Sequence, residues 1–100
     1  MTEELSPEQR PGFQRELAIH RLPIVDSLLR AMELGWPLIE AIEGSTDRED
    51  ARRRLCAPPF SFDEVSALHV LDIQLGRRTA QGRAWLLEEK AELERIIRQD

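Results

Sequence analysis

From Phe13 to Leu34 the apolar side chains Leu17, Ile24, Val25, Leu28, Leu29 and Met32 recur at helical spacing. At 3.6 residues per turn they gather on one face, so the pattern predicts a long amphipathic helix. Pro23 lies inside it; a proline removes a backbone donor and crowds the preceding turn, so a kink there, or a restart near Leu22, is expected. Gly35 stands where a left-handed C-cap is wanted and Pro37 where a helix can begin, which predicts a short helix over 37–43 that shows Leu38, Ile39 and Ile42 to the core and ends at Gly44. "TDRE", Thr46 to Glu49, has the spacing of a capping box and opens a third helix running to about Leu55, where "CAPPF" breaks it. "FSFDEV" offers another box, Ser61 with Glu64, with Phe60 and Val65 at the positions of a hydrophobic staple and Asp63 as a competing cap.

The stretch "LHVLDIQLGRRT", Leu68 to Thr79, is of a different kind. Taking 65–75 as a helix, Val65, Leu68, Leu71 and Leu75 form one stripe, while Ala67, Val70, Ile73 and Gln74 spread around another. A helix apolar nearly all round must be covered nearly all round. The first helix and the two short ones can cover one side; for the other, a second subunit is the economical cover, and a C-terminal helix folded back over it is the alternative. That last helix is expected from about Ala80 to Gln99, after a break allowed by Gly76 and Thr79, with Leu86, Leu93, Ile96 and Ile97 on one face. At 1.5 Å per residue it is on the order of 30 Å long, close to the first helix, so the two can pair antiparallel. No segment alternates with period two and no repeat is visible. The expected fold is all-α: two longer antiparallel helices and a small knob of about three short ones, with 1–12 as a flexible lead to a domain over 13–100.

Composition narrows the classes of function. The chain has 100 residues, enough for one domain with a thin core. With 41% hydrophobic and 33% charged residues and no long apolar run, it reads as a soluble globular chain and not as a membrane protein. Its polar, acidic start, "MTEELSPEQR", is unlike a secretory signal, so a cytoplasmic location is expected. A net charge of -5 argues against direct binding to nucleic acid. The "ARRRL" run at 51–55 follows "DRED" and reads as a solvated helix face, with Glu49–Arg53 and Asp50–Arg54 as i,i+4 pairs. The single cysteine, Cys56, has no partner for a disulfide or a shared metal and reads as a small buried hydrophobe. His20 and His69 are the only imidazoles; His69 with Asp72, or Asp72 with Arg77, reads as a structural hydrogen bond. No GxSxG, HExxH, P-loop or glycine-rich phosphate turn is present, and neither a cofactor nor a metal is expected.

The segment "FSFDEVSALHVLDIQLGRRTAQGRAWLLEEKAEL" resembles a stretch of the A subunit of bacterial DNA gyrase and of its topoisomerase IV counterpart that reads approximately "L-[ST]-E-x-Q-A-x-A-I-L-D-M-x-L-x-R-L-T-x-L-E". Phe62, Glu64, Val65, Ala67, Leu71, Asp72, Gln74, Leu75, Arg77 and Thr79 fall at matching positions. Upstream, "RLPIVDSLLRAMELGWPLIEAIEGSTDREDARRRL" is similar to the same family's "R-x-x-I-L-x-G-L-x-x-A-L-x-x-I-D-x-x-I-x-x-I-R" and "S-x-D-x-x-x-A-R-x-x-L". The resemblance runs in order over about 20–97.

In that family this segment is the exit gate, in which two helical knobs at the ends of coiled-coil arms meet across a two-fold axis. The resemblance therefore implies a homodimer, with Leu68, Leu71, Asp72, Leu75, Arg77 and Arg78 at the interface. The family cuts DNA with a tyrosine on a winged-helix domain; this chain has no tyrosine, and catalysis by that mechanism is not expected. It departs from the pattern at Arg78 and Gln81, where the family has leucines, and at Gly82, where it has glutamate. Arg77 and Arg78 are candidates to pair with acidic residues of a partner. The function expected is that of a freestanding, non-catalytic dimerisation module; the alternative is a modulator that pairs with the gate of the gyrase A subunit in the same host. An enzyme of another class, small, helical and mutase-like, with buried arginines and a glutamate in a bundle, would need an unbroken first helix, against which Pro23 and Gly35 count.

Overall fold

A computed structural model describes residues 12–73 and 79–99. Five helices follow in order: α1 (Phe13–Leu34), α2 (Trp36–Glu43), α3 (Arg48–Cys56), α4 (Glu64–Asp72) and α5 (Ala80–Arg98). The fold is all-α. Of the N-terminal lead, only Gly12 lies within the described residues.

α1 and α5 pair along their length, as their ion pairs show. Arg21 meets Glu89 at 2.7 Å, Asp26 meets Lys90 at 2.9 Å and Glu33 meets Arg83 at 3.3 Å, so numbers rise on one helix as they fall on the other. The pair is antiparallel. Between these rims Ala18, Val25, Leu28 and Leu29 of α1 and Leu86 of α5 are buried, with Leu93 packed against the core. α1 continues through Pro23 without the restart near Leu22 that the sequence offered as an alternative to a kink. The reason is where the proline falls: Pro23 and Ile19, four residues before it, are both exposed, so water can take the carbonyl that the missing N–H leaves.

The distal end of α1 carries the knob. Gly35 has φ 59° and ψ -128°, a positive-φ turn but not the left-handed helical cap expected; its N–H donates to Ala31 O and its own carbonyl accepts from Leu38 and Ile39, so one residue ends α1 and starts α2. α2 thus begins at Trp36, one residue before the proline. Leu38 is fully buried, and Ile39 and Ile42 are half-buried.

Both capping boxes form differently from the sequence reading, because aspartates displace the hydroxyl residues. At α3 the cap is Asp47, whose carboxylate accepts from Asp50 N at 2.8 Å, while the Asp50 carboxylate accepts from Thr46 N at 3.0 Å. At α4 the cap is Asp63, accepting from Ser66 N at 2.8 Å and from the Ser66 hydroxyl at 3.1 Å. A carboxylate satisfies the same orphan amide as a hydroxyl and adds a negative charge at the positive end of the helix. Ser61, with φ 55°, lies in the turn before α4, not at its start. The staple moves accordingly: Val65 is exposed, and Phe62 and Ala67, one residue before the cap and four after it, are buried in the common core.

The 57–63 turn, with a cis Pro58–Pro59 peptide, folds both phenylalanines inward. Phe62 N–H donates to Leu55 O at 2.9 Å. Arg30 of α1 reaches over the turn: Nη1 donates to Phe60 O at 2.6 Å, and the guanidinium stands 3.9 Å from the Phe62 ring centroid. This link between arm and knob carries no local signal in the sequence.

Candidate functional site: the outer face of α4

α4 presses Ser66, Ala67 and Val70 inward against α1 and α3. Those three residues span about 100° of the helix, and the opposite arc holds Val65, Leu68, His69 and Asp72, with Glu64 at its edge. Val65 is 57% exposed and Leu68 40%. They are neighbours at i,i+3, so their side chains form one apolar patch. α5, the alternative cover, lies along α1.

The residues expected at the site are placed unequally. Leu68 is at the centre of the exposed arc. Leu71 turns partly away and, with Leu38, Ile39, Ile42, Glu43, Val70 and Ile73, lines a small apolar cleft between α2 and the end of α4. α4 ends at Asp72, earlier than the 65–75 helix expected. Leu75, Arg77 and Arg78 lie outside the described residues. Val65, absent from the expected interface residues, stands beside Leu68 on the exposed arc, as their shared stripe in the sequence implies.

Two ion pairs join this face to α3. Arg48 meets Asp72 at 2.8 Å, in place of the pairing with His69 or Arg77 expected for that aspartate. Arg52 donates to Glu64 at 3.3 Å and also holds Glu49. α3 and α4 are thereby antiparallel, with an arginine at each end. The Arg48 hydrogen bond holds the Asp72 carboxyl below the usual aspartate range, and the same contact raises Arg48. Arg53 and Arg54 both pair with Asp50, at 2.8 and 3.3 Å. Glu49 therefore pairs with Arg52 and not with Arg53, while the expected Asp50–Arg54 pair forms. The basic run is matched by acids of its own helix and of α4. Cys56 is half-buried at the edge of the core.

Among the described residues Ser66 is the buried polar side chain. No group of three His, Cys, Asp or Glu stands close enough to hold a metal ion among them. No helix among the described residues is long and apolar enough to cross a membrane.

Among the described residues, fold and site make up an all-helical arm and knob whose α4 leaves Val65 and Leu68 exposed on its outer face. No protein-family model matches the chain. It is similar to a segment of the A subunit of DNA topoisomerase 4 from Staphylococcus aureus, at 33% identity over 90 residues, which is 90% of this chain and 11% of the relative. Its counterpart in Streptococcus pneumoniae is 34% identical over 88 residues, again 11% of its length. The chain thus resembles a topoisomerase A-subunit segment and spans about a tenth of these relatives.

Proposed function

We propose that this domain is a non-catalytic interaction module that pairs with a second copy of itself through the outer face of α4, in the manner of the exit gate of the A subunits it resembles. The observation that carries this reading is the adjacent exposure of Val65 and Leu68 on a helix whose opposite side, Ser66, Ala67 and Val70, packs into the knob. Each keeps about half of its surface in water, so covering the four side chains of a symmetric pair is worth on the order of 3–6 kcal/mol before the cost of association. The arm fits the reading: the antiparallel pair of α1 and α5 carries the knob at its end, and the described structure measures 59 × 28 × 22 Å.

The test is molar mass in solution by light scattering on a sizing column. The native chain is expected at twice its 11.6 kDa mass, and Leu68→Asp as a folded monomer. A native chain that stays monomeric at micromolar concentrations would overturn the reading.

The similarity to the topoisomerase 4 A subunits favours a second reading, in which the same face pairs with the corresponding segment of one of them. It requires a stable stoichiometric mixed complex in pull-down with that protein, and its absence at micromolar concentrations would exclude it.

A further inference from the structure

We infer that two copies of this chain meet with their α4 helices antiparallel, and that Arg48 and Arg52 neutralise the carboxylates which that meeting brings together. The inference rests on the self-pairing proposed above and goes further in naming the charged contacts. Glu64, Leu68 and Asp72 succeed one another at steps of four, and all three are exposed. They lie in line along α4, with about 12 Å of helix from first to last. A two-fold axis that crosses α4 at right angles beside Leu68 runs the helices in opposite directions, so the Glu64 end of one copy meets the Asp72 end of the other. Unmatched, these carboxylates would repel at both ends of the patch.

α3 supplies the match. Arg52 stands on Glu64 and Arg48 on Asp72, and the two arginines are one helical turn apart. Each end of the pair then holds Glu64, Glu49 and Arg52 from one copy with Asp72 and Arg48 from the other. A guanidinium offers five donors in a fork and can serve a carboxylate from each copy. Both arginines keep exposed surface, at 57% of the side chain for Arg48 and 22% for Arg52. The face is therefore self-complementary: apolar at its centre, with mixed charge at both ends.

The test is the dimer dissociation constant by sedimentation equilibrium, for the native chain, for R48A/R52A, and for R48A/R52A with E64Q/D72N added. The arginine double variant is expected to dissociate roughly tenfold or more readily at low salt, and removal of both carboxylates to recover most of that loss. Circular dichroism checks that each variant is folded. If the double variant does not fold, the native chain carries the test alone: its dissociation constant should rise severalfold between about 50 and about 500 mM NaCl. A constant unchanged by R48A/R52A, or by salt in that fallback, overturns the charged contacts while self-pairing stands. A native chain that never dimerises overturns both.

Discussion

At Asp63 two requirements meet in one side chain: the exposed amides at the start of α4 need an acceptor, and the helix must begin where Phe62 can turn into the core. The backbone bond from Ser66 is the largest cause holding the Asp63 carboxyl below its ordinary range; for Asp50 it is the bond from Thr46, and for Asp72 the side chain of Arg48. Groups with depressed folded values contribute stability that is full above the unfolded value of about 3.9 and is lost as the pH falls through the folded values. Urea midpoints are thus expected to be flat near neutrality and to drop progressively below about pH 4. Asp63→Ala should lower stability by about 1 kcal/mol, seen as a melting temperature lower by roughly 4–8 °C. Asp63→Asn keeps the cap without the charge and should flatten part of the acid dependence. The sequence showed a cap in this region and named Asp63 as a competitor, but spacing alone could not choose between Ser61 and Asp63. The turn that puts Ser61 at positive φ made that choice.

Helices were the most legible level. Hydrophobic period and Gly/Pro punctuation mark all five, because both act within a few residues. Pro23 does not restart α1: its cost depends on which face of the helix it occupies, and the arm leaves that face to water. The proline still forgoes a helical hydrogen bond, so Pro23→Ala should raise the free energy of unfolding by about 1–3 kcal/mol in urea titration, without changing the mass in solution. Leu38 is the opposite case. One fully buried side chain fixes the short α2 to the core, and Leu38→Ala should cost about 2–5 kcal/mol.

For the whole molecule the consequential feature is what α4 leaves uncovered. If pairing completes the core, folding and association are linked, and the melting temperature of the native chain should rise with protein concentration while that of Leu68→Asp does not. Differential scanning calorimetry over a hundredfold concentration range reads this directly, and a melting temperature independent of concentration would count against the pairing.

The sequence by itself determined the helical class, the number and order of the helices, the antiparallel match of the two long ones and the resemblance to a topoisomerase A-subunit segment, since all of these rest on local periodicity or on aligned patterns. It also marked α4 as a helix with too much apolar surface. Only the tertiary structure decided which part of that surface stays in water, leaving Val65 and Leu68 exposed and turning Leu71 towards the α2 cleft. Likewise it gave Asp72 to Arg48 and Phe62 to Arg30, pairs formed by residues more than twenty positions apart. Such partners are chosen by how helices pack, which no spacing along the chain encodes.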